Sequence, residues 1–216
     1  MASTRRAAQR EETRESLLDS AQALFAEWGV LGTSVEEIAD RAGYTRGAFY
    51  ANFKDRAAIV EEIVARQQGR ILASLAGTLE AESALDSDLG AALTVLLDRV
   101  LDAMPHDRQA WLLQAELETY AIRHPEIAGS YRQIDVKFRD QVATLIERTA
   151  RLLGRELILE PAVVATAAIA IVLRSGRDAL LDDALRPQET ARALLPALFL
   201  GFSRPVKAGL AGTDGG

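Results

Sequence analysis

Residues 33–56, TSVEEIADRAGYTRGAFYANFKDR, restrict the fold more than any other stretch of this chain. Ser34 followed by Glu37 is a capping box, which predicts the start of a helix. Apolar residues then repeat at helical spacing at Val35, Ile38, Ala39 and Ala42. Gly43 is suited to end this helix, and Thr45 is suited to cap a second one. Two short helices across a glycine turn are the layout of a DNA-reading helix-turn-helix, here over about 34–52.

Basic charge is concentrated around this stretch although the whole chain carries a net charge of −6. Residues 1–10 contain Arg5, Arg6 and Arg10 without any acid, and residues 41–56 contain four cations against one acid. Each segment is therefore net +3, which leaves −12 on the remainder. Positive charge at these two places predicts contact with nucleic-acid phosphates.

Composition and motifs argue against other classes of protein. Cysteine is absent, which excludes disulfides and thiol chemistry and suits a reducing cytoplasm. The polar N-terminus lacks the apolar region of a secretory signal, and the Ala-rich run 162–173 is shorter than the roughly 20 residues of a membrane span. No G-x-S-x-G, Walker A or H-E-x-x-H motif occurs, so we predict neither an enzyme nor a metal or other cofactor.

The remaining chain predicts further helices and no strand of useful length. The first helix has an apolar face that ends before Gly29, and we expect its Phe25 and Trp28 to be buried. Asp55 can cap a long helix, and prolines 105, 125, 161 and 187 separate the later ones. We therefore predict an all-α fold of about nine helices, with a disordered Gly-rich tail over 209–216.

From Leu18 to Ile63 the chain resembles the TetR (tetracycline repressor) family of bacterial transcription regulators, through ALFAEWG, TSVEEIADRAG, YTRGAFYANF and KDRAAIV. The resemblance implies an N-terminal three-helix bundle with the helix-turn-helix, within a DNA-binding domain over 1–54 that begins with an arm over 1–10. It also implies a helical effector-binding and dimerisation domain over 55–208. A cytoplasmic homodimer would then bind a palindromic double-stranded DNA operator, and a small-molecule effector of unknown identity would control it.

The resemblance and the residue chemistry together nominate DNA contacts. Arg46, at the start of the second helix, is the best candidate for reading a guanine, and Gly47 would allow close approach to the backbone. The candidates for phosphate contact and positioning are Thr33, Ser34, Thr45, Tyr50, Asn52, Lys54 and Arg56. Alternatives remain for several of these residues. Tyr50 could instead pack on the first helix, and Lys54 and Arg56 could be solvated surface charges. The basic arm could make no DNA contact. Ala51 departs from the larger side chains common there in the family.

The effector site is predicted from a helix over 106–124 that places polar groups beside a tryptophan. The candidates are Trp111, Gln114, Glu118, Tyr131, Phe138 and Arg174. A buried Glu118 near Trp111 would favour a cationic or hydrogen-bonding ligand. The alternative is that Gln114 and Glu118 are exposed and that Tyr131 and Phe138 belong to an ordinary core stripe.

Two late segments predict self-association. The run 162–173 is apolar nearly all round, and a second strip follows at Leu194, Leu195, Leu198, Phe199 and Phe202. Two such helices from each subunit would form a four-helix bundle, although Pro196 should kink or split the last one. The alternative is that these two helices pack against each other in the core of a monomer.

These features favour a TetR-like, ligand-responsive repressor. The alternatives are a helical protein-interaction module or a transcriptional activator that retains the DNA-binding fold. A specific footprint on DNA would indicate a regulator rather than a protein-interaction module.

Overall fold

The computed structural model describes residues 2–81, 89–102, 104, 107–182, 185, 186 and 188–206, and over these ranges it confirms the helical fold. The helices are α1 Ala2–Trp28, α2 Val35–Arg41, α3 Arg46–Asn52, α4 Arg56–Ala81, α5 Leu89–Asp102, α6 Arg108–Arg123, α7 Pro125–Leu152, α8 Pro161–Leu181 and α9 Glu189–Gly201. The predicted tail over 209–216 lies outside the described residues. Within them, no helix combines the length and apolar character that crossing a bilayer requires.

Two elements differ from the sequence prediction. α1 begins at Ala2, so the basic arm is the first part of that helix rather than a separate extension. A small antiparallel ribbon joins β1 (Arg155–Leu157) to β2 (Ser203–Pro205), with Glu156 opposite Arg204. Strands of three residues are too short for an alternating pattern to identify them, which is why the ribbon was missed.

The first apolar cluster holds the helix-turn-helix in place. Phe25 of α1, Ile38 of α2 and Phe49 of α3 are fully buried, and Ile59 of α4 joins them. Leu117 of α6 belongs to the same cluster, so the core continues beyond the three N-terminal helices.

The prediction that Trp28 is buried is wrong. Its side chain is 62% exposed, whereas Phe25, one turn earlier, has no exposed surface. Trp28 is the last residue of α1, and the chain turns away at Gly29, which has a φ of +79°. Among the described helices none covers the Trp28 side chain, although its spacing matches the buried face of α1.

The C-terminal helices surround a second apolar region. α7 packs against α4 and α8, while α9 packs against α5 and α8. α9 runs without a break from Glu189 to Gly201, so Pro196 does not split it. The ribbon closes the end of α9, where the buried Arg155 Nε donates to Ser203 Oγ over 2.7 Å.

Candidate functional site

The helix-turn-helix has the local geometry that its sequence predicts. Ser34 Oγ accepts from the Glu37 N–H over 3.1 Å, and the Ser34 N–H donates to Glu37 Oε2 over 2.7 Å. These hydrogen bonds lower the pKa of Glu37. Gly43 has a φ of +76°, in the left-handed region that glycine favours. Thr45 Oγ1 then caps α3 by accepting from the Ala48 N–H, so both predicted caps are confirmed.

The exposed surface of α3 presents Thr45, Arg46, Gly47 and Tyr50 together. Arg46 Nη1 lies 2.5 Å from Glu36 Oε1, and its guanidinium lies 5.5 Å from the centre of the Tyr50 ring. The hydrogen bond to Tyr50 and then the charge of Glu36 raise the pKa of Arg46, which stays fully charged. Because both partners of the ion pair are exposed, the pair contributes little and a phosphate or base edge can replace Glu36.

Gly47 has no internal reason to be a glycine. A Cβ built on it would meet only Thr45 Oγ1, at 3.6 Å, which is an ordinary contact. The residue lies within a regular helix, where glycine is less stable than alanine. The fold therefore tolerates a side chain at this position.

Arginines of α1 hold the far end of α3, a role that the sequence did not suggest. Arg10 Nη2 donates to Ala51 O and Arg14 Nη1 to Asn52 O, both over 3.2 Å. Arg14 also pairs with Glu62 at 2.7 Å and lies over the Phe53 ring. Cationic groups at the carboxyl end of a helix complement its dipole and its unpaired carbonyls. In the sequence these contacts appear only as basic residues on α1, because the carbonyl groups that they bind lie about 40 residues further along the chain.

Two of the nominated DNA contacts are corrected. Thr33 is 2% exposed and its hydroxyl donates to Gly29 O. Asn52 is half-buried, with Nδ2 donating to Ala48 O. These two side chains face the protein rather than the surface of α3. Arg56 is half-buried at the first residue of α4.

The remaining nominated side chains stay available. Tyr50 is 47% exposed and contacts Phe49 edge-on, so it does not pack into α1. Lys54 is exposed after α3, and Arg5 and Arg6 are exposed on α1. Ser34 is half-buried, and its hydroxyl is engaged with Glu37. Its contribution is therefore the start of α2, where the first N–H groups have no partner within the helix.

A cavity of about 220 Å³ lies among α4 to α9. Three of the six effector candidates line it: Trp111, Gln114 and Phe138. Most of the other lining residues are aliphatic, and α5 and α9 contribute Leu97, Val100 and Phe199, which the sequence did not nominate. Apolar periodicity marks such residues as buried but does not distinguish a packed core from a cavity wall.

The other three candidates lie outside the cavity. Glu118 is exposed. Arg174 is exposed on α8, where its Nε donates to Asp178 Oδ2 over 2.7 Å. Tyr131 packs against the first apolar cluster instead. Its burial, with Glu118 and Asp135 nearby, raises the pKa of Tyr131 to about 12.

The Trp111 ring is tightly held at the cavity wall. A Cβ on Gly176 would overlap the six-membered ring of Trp111, so any larger residue at position 176 would displace the ring. The Nε1 of Trp111 is buried without a hydrogen-bond partner in the described part of the chain. Gln114, beside it, is hydrogen-bonded to the Tyr131 hydroxyl.

α8 and α9 also carry exposed apolar side chains. Val163 and Leu181 of α8 are 53% and 75% exposed, and Leu194 and Leu200 of α9 are 47% and 39% exposed. Leu195 and Phe199 are instead buried within the chain, so only part of the predicted strip faces outward.

Comparison with known proteins gives consistent matches. Residues 17–63 match the model of the bacterial regulatory proteins of the tetR family. The HTH-type transcriptional regulator AcrR of Shigella flexneri is 30% identical over 177 residues, which cover 80% of this chain and 78% of AcrR. SmeT, the repressor of the Stenotrophomonas maltophilia multidrug efflux pump SmeDEF, superposes with a TM-score of 0.60 at 25% identity, over 89% of this chain and 93% of SmeT. A SmeT–triclosan complex, at 24% identity over 89% and 92% of the chains, superposes with a TM-score of 0.62 and shows likeness of fold.

Proposed function

This chain belongs to the TetR family of bacterial regulatory proteins, and we propose that it is a ligand-responsive repressor that binds a palindromic operator as a dimer. Membership makes it a DNA-binding transcription regulator, in a family of regulators rather than of enzymes. Repression, the dimer and release by a small molecule are the parts that we propose.

The exposed surface of α3 supports the proposed DNA contacts. We assign base reading to Arg46, close backbone approach to Gly47, and phosphate contact to Thr45, Tyr50 and Lys54. The start of α2 at Ser34 offers further N–H groups to a phosphate. We withdraw Thr33 and Asn52 from this set because their side chains face the protein, and we keep Arg56 as a candidate for phosphate contact.

The exposed apolar residues of α8 and α9 support the proposed dimer. Two copies of this pair of helices would cover Val163, Leu181, Leu194 and Leu200 in a four-helix bundle. A twofold dimer presents two α3 helices to a palindrome, whose half-sites lie roughly 34–36 Å apart. We further propose that residues 1–54 read the DNA, that residues 55–208 bind the effector and the partner subunit, and that the protein acts in the cytoplasm.

The cavity supports the proposed control by a small molecule. A ligand releases the operator only if it binds the DNA-free conformation more tightly, and a tenfold loss of operator affinity requires about 1.4 kcal/mol of such preference. α4 contributes Gln67 and Ile71 to the cavity wall and Ile59 to the core beneath α3. One helix thus contacts both regions.

An electrophoretic mobility-shift assay with the DNA upstream of the chain's own gene tests the function. We expect a salt-dependent, sequence-specific complex, and the absence of any complex at low salt would refute the proposal. Arg46→Ala should relax the preference at one base position roughly tenfold, whereas Lys54→Ala should weaken all sequences alike and lower the salt slope by about 1. Equal effects from both variants would contradict the assigned roles.

A further inference from the structure

An acidic residue, Glu36, lies beside Arg46 on the surface that we assign to DNA. Glu36 is in the first turn of α2, and its Oε1 lies 2.5 Å from Arg46 Nη1. The Glu36 and Arg46 side chains are 49% and 62% exposed, so their ion pair contributes little to the stability of the fold. The DNA phosphates would also repel a carboxylate at this place. An acid here is therefore favourable only if a hydrogen-bond donor on the DNA meets it.

Both side chains of this ion pair keep hydrogen-bonding groups for a further partner. A carboxylate offers about four acceptor sites, and a guanidinium carries five N–H donors. The ion pair engages Glu36 Oε1 and Arg46 Nη1, and Arg46 also has a hydrogen bond with Tyr50. An exposed acceptor and exposed donors thus lie side by side, and they can contact DNA together while they stay paired.

The major-groove edge of a G·C base pair matches this arrangement. Guanine presents the N7 and O6 acceptors, and cytosine presents the N4–H donor. The hydrogen bond between cytosine N4 and guanine O6 within the base pair sets these two atoms roughly 2.9 Å apart. This spacing is close to the 2.5 Å between Glu36 Oε1 and Arg46 Nη1. Glu36 can therefore meet the cytosine while Arg46 meets the guanine of the same base pair.

An A·T base pair does not match the same set of groups. Its edge presents the adenine N7 acceptor, then the adenine N6–H donor, then the thymine O4 acceptor. A guanidinium with two donors on N7 and its neighbour would place one of them against N6–H, and the carboxylate would face O4. Two donors followed by an acceptor fit the G·C edge alone.

We propose that Glu36 determines specificity together with Arg46, and that the two side chains read one G·C base pair as a unit. Arg46 donates to guanine N7 and O6, and Glu36 accepts from cytosine N4–H. This inference rests on the proposed function, because it completes a base contact whose guanine half we assigned to Arg46. At any other base pair the Glu36 carboxylate would meet no matching donor, so its charge would penalise the wrong sequence.

Base analogues test the two halves of the contact separately. Selection of bound sequences from random DNA gives the operator, and Arg46→Ala identifies the G·C pair at which the preference is lost. At that pair in one half-site, N4-methylcytosine replaces the N4–H of the major groove by a methyl group, and 7-deazaguanine removes the N7 acceptor. We expect each analogue to weaken operator binding by the wild-type protein about tenfold in mobility-shift titrations.

Three variants assign these losses to residues. Glu36→Ala should change its affinity by less than about twofold on N4-methylcytosine and still respond to 7-deazaguanine. Arg46→Ala should not respond to 7-deazaguanine. Asp40→Ala is the matched control, because it removes an exposed acid one turn further along α2, and it should respond to both analogues like the wild type. Thermal unfolding checks that each variant is folded.

The proposal is overturned if N4-methylcytosine leaves wild-type binding unchanged, or if it weakens the wild type and Glu36→Ala alike. An operator in which Arg46→Ala alters the preference at no G·C pair has the same consequence. The wild-type response to N4-methylcytosine needs no variant, so it decides even if Glu36→Ala fails to fold. If selection returns no bound sequence, the proposed DNA-binding function itself fails, whereas an operator that is insensitive to N4-methylcytosine removes only the role of Glu36.

Discussion

Gly47 allows the demands of folding to be separated from those of DNA binding. Because a Cβ on Gly47 would meet only Thr45 Oγ1, at an ordinary contact distance, we expect Gly47→Ala to keep or raise stability by up to about 0.5–1 kcal/mol. The same methyl group would separate α3 from the DNA backbone, so operator affinity should fall. Thermal unfolding and a mobility-shift titration measure the two effects.

Gly69→Ala is the matched control, because Gly69 also lies within a helix but is on α4, away from α3. A Cβ built on Gly69 has nothing within 4 Å. It should raise stability without changing DNA binding. If Gly47→Ala bound the operator as well as the wild type, close approach at Gly47 would be disproved.

The raised pKa of Tyr131 leads to a prediction about the stability of the protein at alkaline pH. Its pKa is raised to about 12, mainly by burial, whereas in the unfolded chain it would be near 10. The stabilisation that Tyr131 contributes is therefore fully present below about pH 10. As the pH rises from 10 toward 12, the free energy of unfolding falls by an amount on the order of 2 kcal/mol. Tyr131→Phe should reduce this alkaline loss in denaturant titrations between pH 9 and 12. An unchanged pH profile would show that Tyr131 does not titrate as inferred.

At the scale of elements, the contact between α1 and the end of α3 depends on Arg14. Arg14→Met removes its hydrogen bond to Asn52 O and its ion pair with Glu62 while keeping most of the side-chain volume. We expect a loss of about 1–2 kcal/mol in denaturant unfolding and weaker DNA binding from a less firmly held α3. Arg6→Met, exposed on the same helix, should leave stability unchanged, and an equal loss there would contradict the role given to Arg14.

The elements also show what the sequence could predict. Caps at Ser34, Thr45 and Asp55 were predictable because each depends on residues three positions apart. Helical spacing could not predict that Trp28 is exposed or that Glu118 and Arg174 lie outside the cavity, since spacing defines a face but not its neighbour. The bonds from Arg10 and Arg14 to α3 depend on tertiary packing, and no local pattern encodes them.

At the scale of the whole molecule, a single substitution can test the proposed dimer. Ala197 is exposed on α9 between Leu194 and Leu200, so Ala197→Glu would place charges in the proposed interface. We expect sedimentation equilibrium to show monomers and operator affinity to fall about 100-fold or more through lost bivalency. Ala115→Glu, exposed on α6, is the control that should stay dimeric. If the Ala197→Glu protein stays dimeric, the dimer interface lies elsewhere on the molecule.

The apolar cluster beneath α3 has a consequence for engineering biosensors. An exchange of the DNA-reading segment with a related regulator could be cut near residue 54, at the end of the helix-turn-helix. Ile59, Leu117 and Ile127, however, pack in the same cluster as Phe25 and Phe49. A graft made at that border would join two half-cores of unrelated shape. A workable chimera has to carry the facing residues of α4, α6 and α7 with the transplanted segment, so the exchangeable module is a set of contacts rather than a length of chain.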